Sequence, residues 1–177
     1  MTAFFFCIAG IAHSLMRKEK LHMTIESISL NDPDKLGQLW RLQHVAYRLE
    51  AEMIGFKEIP PLMDTLETLQ QCGESFYGYM DSDGELIGAI AVAEEEKDAL
   101  TITRMMVHPD YFRKGIASAL IAHIFETYPE YPRYIVSTGT LNEPAVQLYS
   151  KFGFVPVDRV QLAPGVELKT FHRNKDE

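Results

Sequence analysis

The sequence predicts one mixed α/β domain running from Met23 to the C-terminus, and three observations point to it. A chain of 177 residues with 46% apolar content suits a single full hydrophobic core and is short for two. Segments of alternating apolar residues interchange with segments of helical period. Proline and glycine mark the joints between them.

The elements follow in order. "TIESIS", directly after Met23, alternates as a first strand does. "NDPDKLGQLWRLQHVAYRLEAEM" opens a helix with Asn31 or Asp32 as N-cap and Pro33 in the first turn. Leu36, Leu39, Trp40, Ala46 and Tyr47 recur along it at helical spacing. Gly55 and Pro60-Pro61 end it, and a second helix is expected over 62–71, closing at Gly73. Strands are expected over 75–80 and 85–93 around an Asp83-Gly84 hairpin turn, and a third over 100–107. "EEEKD" between them reads as a solvated turn. Its carboxylates Glu94, Glu95 and Glu96 alternate in direction and so do not converge on a metal.

A helix over 115–127 carries the stripe Ile116, Leu120, Ile121, Ile124 and Phe125, and Pro129 and Pro132 end it. "YIVSTGT" is a short buried strand. "NEPAVQLYSKFGF" is a compact helix with Asn142 as N-cap, Pro144 in its first turn and Gly153 as terminator. Strands over 155–161 and 166–172, separated by Pro164-Gly165, complete the unit.

Residues 1–22 stand apart. "MTAFFFCIAGIAHSLM" is too short and interrupted to span a bilayer, and "RKEK" follows the apolar run where a signal peptide would place its cations before it. The expectation is an upstream-start extension, with the domain proper at 23–177; a short membrane-associating or partner-binding helix is the competing expectation.

Formal net charge is -8, from 25 acidic and 17 basic residues, which disfavours a nucleic-acid partner and suits a cationic or amine substrate. It equally suits an acidic surface that only maintains solubility. Two cysteines, Cys7 and Cys72, lack neighbours at ligand spacing. Neither a zinc site nor a disulfide framework is expected, and a reducing cytosol is the natural compartment.

The chemistry concentrates in "VHPDYFRKGIASALI", residues 107–121. Here a buried strand turns into a helix, whose first N–H groups lack intrahelical partners and carry partial positive charge. Arg113 and Lys114 are unfavourable at such an end unless an anion sits there. Gly115 and Ala117 let a phosphate approach the backbone. Neither a Walker loop nor a dinucleotide fingerprint is present.

Together, "ITRMMVHPDYFRKGIASALI" and "NEPAVQLYSKFGF" closely resemble the two core motifs of the GNAT superfamily of acyl-CoA-dependent N-acyltransferases. The resemblance is strong over 85–154 and compatible over 23–84. It implies a mixed, curved sheet of six or seven strands flanked by about four helices. Acetyl-CoA would lie where the strand at 100–107 splays from that at 134–138, as co-substrate to an amine acceptor. Its pantetheine arm would pair with the backbone of Met105, Met106 and Val107, and its pyrophosphate would sit on the N–H groups of Arg113, Lys114, Gly115, Ile116, Ala117 and Ser118. Asn142 matches a cofactor-contacting asparagine. Tyr149 matches a tyrosine that protonates the departing thiolate.

Two departures qualify the match. The family loop begins with Gln or Arg, and here Phe112 occupies that place, so backbone groups should dominate pyrophosphate binding. Many members also carry a glutamate on one of the splayed strands; the matching positions hold Thr103 and Ser137, neither a base. Glu50, Glu52 and Glu58 are within reach of a substrate cleft but are expected to be solvated charges. A water chain ending on a backbone carbonyl is equally open, and no general base is assigned. His108 precedes a turn proline and is expected to be structural. The acceptor wall is expected from "AEMIGFKEIPPLMD" and the hairpin around 163–166. No stable membrane insertion is expected, and a homodimer is left open. The alternative function is a catalytically silent acyl-CoA sensor on the same fold.

Overall fold

The computed structural model describes residues 23–175, so the expectations for 1–22 fall outside the described residues. In chain order come β1 (Thr24–Ile28), α1 (Pro33–Ile54), a 3-10 turn (Pro60–Met63), α2 (Leu66–Gln70), β2 (Ser75–Met80), β3 (Leu86–Glu96) and β4 (Ala99–Val107). A second 3-10 turn (Pro109–Tyr111), α3 (Ile116–Thr127), β5 (Arg133–Gly139), α4 (Glu143–Lys151), β6 (Val155–Ala163) and β7 (Val166–Asn174) follow. The described residues thus form a curved sheet of seven strands, in the order β1-β2-β3-β4-β5-β7-β6, with four α-helices.

Local chemistry explains most boundaries. Asp32 caps α1, its Oδ1 accepting from the N–H groups of Asp34 and Lys35 at 3.0 and 3.3 Å. The helix expected over 62–71 is instead broken at Asp64-Thr65. Thr65 and Thr68 form a reciprocal capping box, each side chain accepting from the other's N–H, and this starts α2 afresh. The expected turn at "EEEKD" shrinks to Lys97-Asp98, because β3 runs on to Glu96. Tyr131 donates to Glu94 at 3.0 Å and Arg133 to Glu96 at 2.8 Å, which holds these carboxylates on the strand.

Two apolar cores lie on opposite faces of the sheet. One packs α1 and α2 onto Phe76, Met80, Ala89, Ala91 and Met106. The other packs α3 and α4 onto Ile87, Ile90, Val92, Leu100, Ile102, Tyr134 and Val136. Gly88 permits the close seating of α3: a Cβ there would lie 2.6 Å from a methyl of Ile116.

Two irregularities open the sheet. β4 and β5 are parallel and pair only over Ala99–Ile102 and Arg133–Val136, after which they diverge. Beside that point β4 bulges. Ala91 faces Arg104 and Val92 faces Ile102, leaving Thr103 as the extra residue. The bulge turns Ile102 toward α3 and Arg104 toward α1.

Candidate active site

The divergence of β4 from β5 leads into a cleft of ≈ 490 Å³ reaching from α4 to the 3-10 turn before α2. Its centre is built by Tyr47 and Glu50 of α1, Met105 of β4, Thr138 of β5, and Asn142 and Tyr149 at the start and end of α4.

Tyr149 is buried at 3% exposure, packed edge-on against Phe154 with ring centroids 5.7 Å apart, and still borders the cleft. Burial, and then the negative charge of Glu50, push its phenol well above the ordinary range. The hydroxyl therefore stays protonated through neutral pH, as a proton donor requires. Burial also raises Tyr47, reinforced by Glu50 and Tyr149 and opposed by Arg104.

Asn142 uses both ends of its side chain within the protein. Its Oδ1 accepts from Ala145 N–H at 3.2 Å, capping α4, and its Nδ2 donates to Glu50 Oε1 at 3.1 Å. Burial raises the Glu50 carboxyl above its ordinary range, against the lowering effect of hydrogen bonds from Asn142 and Thr138. Of the three glutamates named from the sequence, Glu50 alone borders the cleft; Glu52 and Glu58 are exposed.

Thr103 and Ser137 also border the cleft, and neither offers a base. Thr103 Oγ1 sits buried at the bulge without a partner among the described residues, while Ser137 Oγ meets Thr170 Oγ1 at 2.8 Å. Phe56, Pro60 and Pro61 supply an apolar wall, and Leu162 and Leu168 a second from the β6–β7 hairpin. Met53, by contrast, is exposed.

Arg104 was not singled out in the sequence. Its guanidinium is 9% exposed and donates to Glu74 at 2.7 and 3.2 Å, to Asp64 at 2.6 Å and to Gln43 at 2.7 Å. Gln43 in turn donates to Pro61 C=O at 2.7 Å, so the network ties the apolar wall to β4. Burial alone would raise the Asp64 carboxyl, but hydrogen bonds from Arg104, Thr68 and Gln43 and the Arg104 charge hold it below its ordinary value. A cation inside "ITRMMV" was the available signal, since a buried charge demands partners.

The anion loop follows β4, which runs on to Val107 past Ile102, its last residue paired with β5. Gly115 (φ 83°) and Arg113 (φ 63°) are both left-handed, and space is open where a Gly115 Cβ would project. Among the described residues no side chain caps α3, whose first N–H groups are left facing that space. This cradle fits a diphosphate. Lys114 Nζ lies 4.5 Å from the Tyr111 ring centroid, and Phe112 is exposed. His108 caps the second 3-10 turn, its Nδ1 accepting from Asp110 N–H at 3.4 Å, a structural role. The described residues contain no group of side chains suited to a metal ion.

Residues 38–154 match the Acetyltransferase (GNAT) family. The chain belongs to that family of acyltransferase enzymes. It is 39% identical over 148 residues to the UPF0157 protein YqkA of Bacillus subtilis (strain 168), covering 84% of this chain and 43% of that protein. The chain therefore spans less than half the length of that relative. The ribosomal-protein-S18-alanine N-acetyltransferase from Escherichia coli shares the fold at a TM-score of 0.68 and 16% identity, over 86% of this chain and 93% of that one. An acetyltransferase from Bacillus anthracis str. Ames, solved in complex with acetyl coenzyme A, matches 57% of this GNAT chain and 62% of its own, at a TM-score of 0.52 and 19% identity. No helix among the described residues is long and apolar enough to cross a membrane.

Proposed function

We propose that this GNAT protein transfers the acetyl group of acetyl-CoA to a primary amine, on a small molecule or a peptide, by direct attack on the thioester. The observation that carries the reading is the placement of a protonated Tyr149 in the cleft that opens between β4 and β5. The N–H groups of residues 113–118 would hold the pyrophosphate, and the backbone of Met105, Met106 and Val107, on the edge of β4 that β5 stops pairing after Ile102, the pantetheine arm. Tyr149 would donate its proton to the departing thiolate. Glu50, Asp64, Glu74 and Glu95 outnumber Arg104 along the cleft, which suits an ammonium acceptor. With two cysteines in the chain, a reducing cytosol is the compartment we infer.

A panel of primary amines with acetyl-CoA, followed by free-thiol release, tests the reading. Amine-dependent release that falls in Tyr149→Phe is expected. If acetyl-CoA binds and no amine raises release above background hydrolysis, the silent acyl-CoA sensor replaces the enzyme; Thr103 and Ser137, where many relatives carry a carboxylate, are the observation in its favour.

A further inference from the structure

We infer that Glu50 is the general base that takes the proton from the acceptor ammonium, and that Asn142 is its positioning residue and not a cofactor contact. The inference rests on the acyl-transfer reading above. An ammonium has no lone pair, so a group inside the cleft must receive its proton before attack.

The other cleft carboxylates are poorly placed for this. Asp64 and Glu74 are paired to Arg104, and a carboxylate so engaged is a weak base. Glu95 lies exposed at the end of β3. Glu50 is half-buried in the penultimate turn of α1, tethered by Asn142 from the start of α4 and by Thr138 from β5. The titratable groups facing it are Tyr47 on its own helix and Tyr149 from α4; from β4, Arg104 acts on Tyr47 but is held by Asp64 and Glu74.

Burial favours the protonated carboxyl, and the hydrogen bonds from Asn142 and Thr138 favour the carboxylate. The carboxyl is left above its ordinary range, which makes it a better proton acceptor than a solvated glutamate. Because Asn142 Oδ1 caps α4 while Nδ2 reaches Glu50, one side chain fixes the distance between the base and the helix carrying Tyr149.

Protons and bonds balance. The ammonium loses one proton to Glu50, and the freed lone pair forms the C–N bond at the thioester carbonyl. Collapse breaks the C–S bond, and sulfur takes the Tyr149 proton. The nitrogen's second proton restores Tyr149, and Glu50 releases its proton to water. The net change is one amide, one thiol and one proton.

The test is the pH dependence of kcat/KM for a primary amine, with acetyl-CoA affinity measured in parallel. Wild type should lose activity as pH falls through a Glu50 titration lying above the ordinary carboxylate range. Glu50→Gln should lower kcat by about 10²–10⁴-fold and abolish that acid limb, with acetyl-CoA affinity unchanged. Glu52→Gln and Glu58→Gln should stay within about twofold. Asn142→Asp keeps the cap oxygen but sets a negative charge against Glu50. It should move the acid limb to higher pH, with activity recovering as pH rises.

Glu50→Gln retaining both rate and acid limb would overturn the base. Asn142→Asp weakening acetyl-CoA binding with the limb unmoved would return Asn142 to the cofactor. Wild type that binds acetyl-CoA yet acetylates no amine would overturn the acyl-transfer reading, and this inference with it.

Discussion

The regions that we propose for cofactor and acceptor are built by different means. The proposed cofactor region is local: a strand, a turn and the first turn of α3, contiguous over residues 105–118, present mostly backbone groups. The proposed acceptor region is assembled from residues far apart in the chain. Gln43, Asp64, Glu74 and Arg104 converge from α1, the α2 entry, the β2 entry and β4, and Glu50 meets Asn142 across 92 positions. Recognition by backbone groups should tolerate side-chain change, and Phe112 at the usual cation position is where we expect that tolerance to show. A side-chain network should not, because removing one member leaves the others buried and unpaired.

Substitutions can break this contrast at graded strength. Tyr149→Phe should lower kcat by about 10²–10⁴-fold, read as amine-dependent thiol release. Arg104→Met removes the cation that Asp64 and Glu74 share. It should destabilise the fold by about 3–5 kcal/mol in denaturant titration, with acetyl-CoA affinity little changed when the folded protein is assayed. Lost acetyl-CoA affinity instead would show the halves to be coupled.

Acid should probe the same network more gently. The depressed Asp64 carboxyl contributes stability that is fully present above its unfolded value of about 3.9 and is lost as pH falls through its lower folded value. The Tm should therefore drop below about pH 4, and less steeply in Asp64→Asn. The smallest effect belongs to the loop. Phe112→Arg should tighten acetyl-CoA by no more than about tenfold, and salt should erase the gain. A larger or salt-independent gain would mean that side chains contribute more here than the backbone account allows.

The same contrast decides what the sequence could reveal. Asp32, Asn142, Gly55 and Gly153 act within a few residues of themselves, so the helix boundaries they set are legible from spacing. The split at Thr65 is hidden because Thr65-Thr68 capping competes with an apolar run that looks helical from 62 onward. β3 extends through Glu96 because Tyr131 and Arg133, over 30 residues away, hold Glu94 and Glu96. No local pattern encodes that. Glu50, Glu52 and Glu58 are indistinguishable as letters. Only the fold sets Glu50 against Asn142 and leaves the other two in solvent.

Titration of acetyl-CoA into Gly115→Glu and Tyr149→Phe tests the division most directly. Glutamate at the left-handed Gly115 would strain the backbone and place a carboxylate where the pyrophosphate should sit. If the division holds, Gly115→Glu weakens acetyl-CoA by at least about 100-fold, or about 2.7 kcal/mol, while Tyr149→Phe binds within about threefold of wild type. Unchanged binding in Gly115→Glu, or binding lost in Tyr149→Phe, would contradict it.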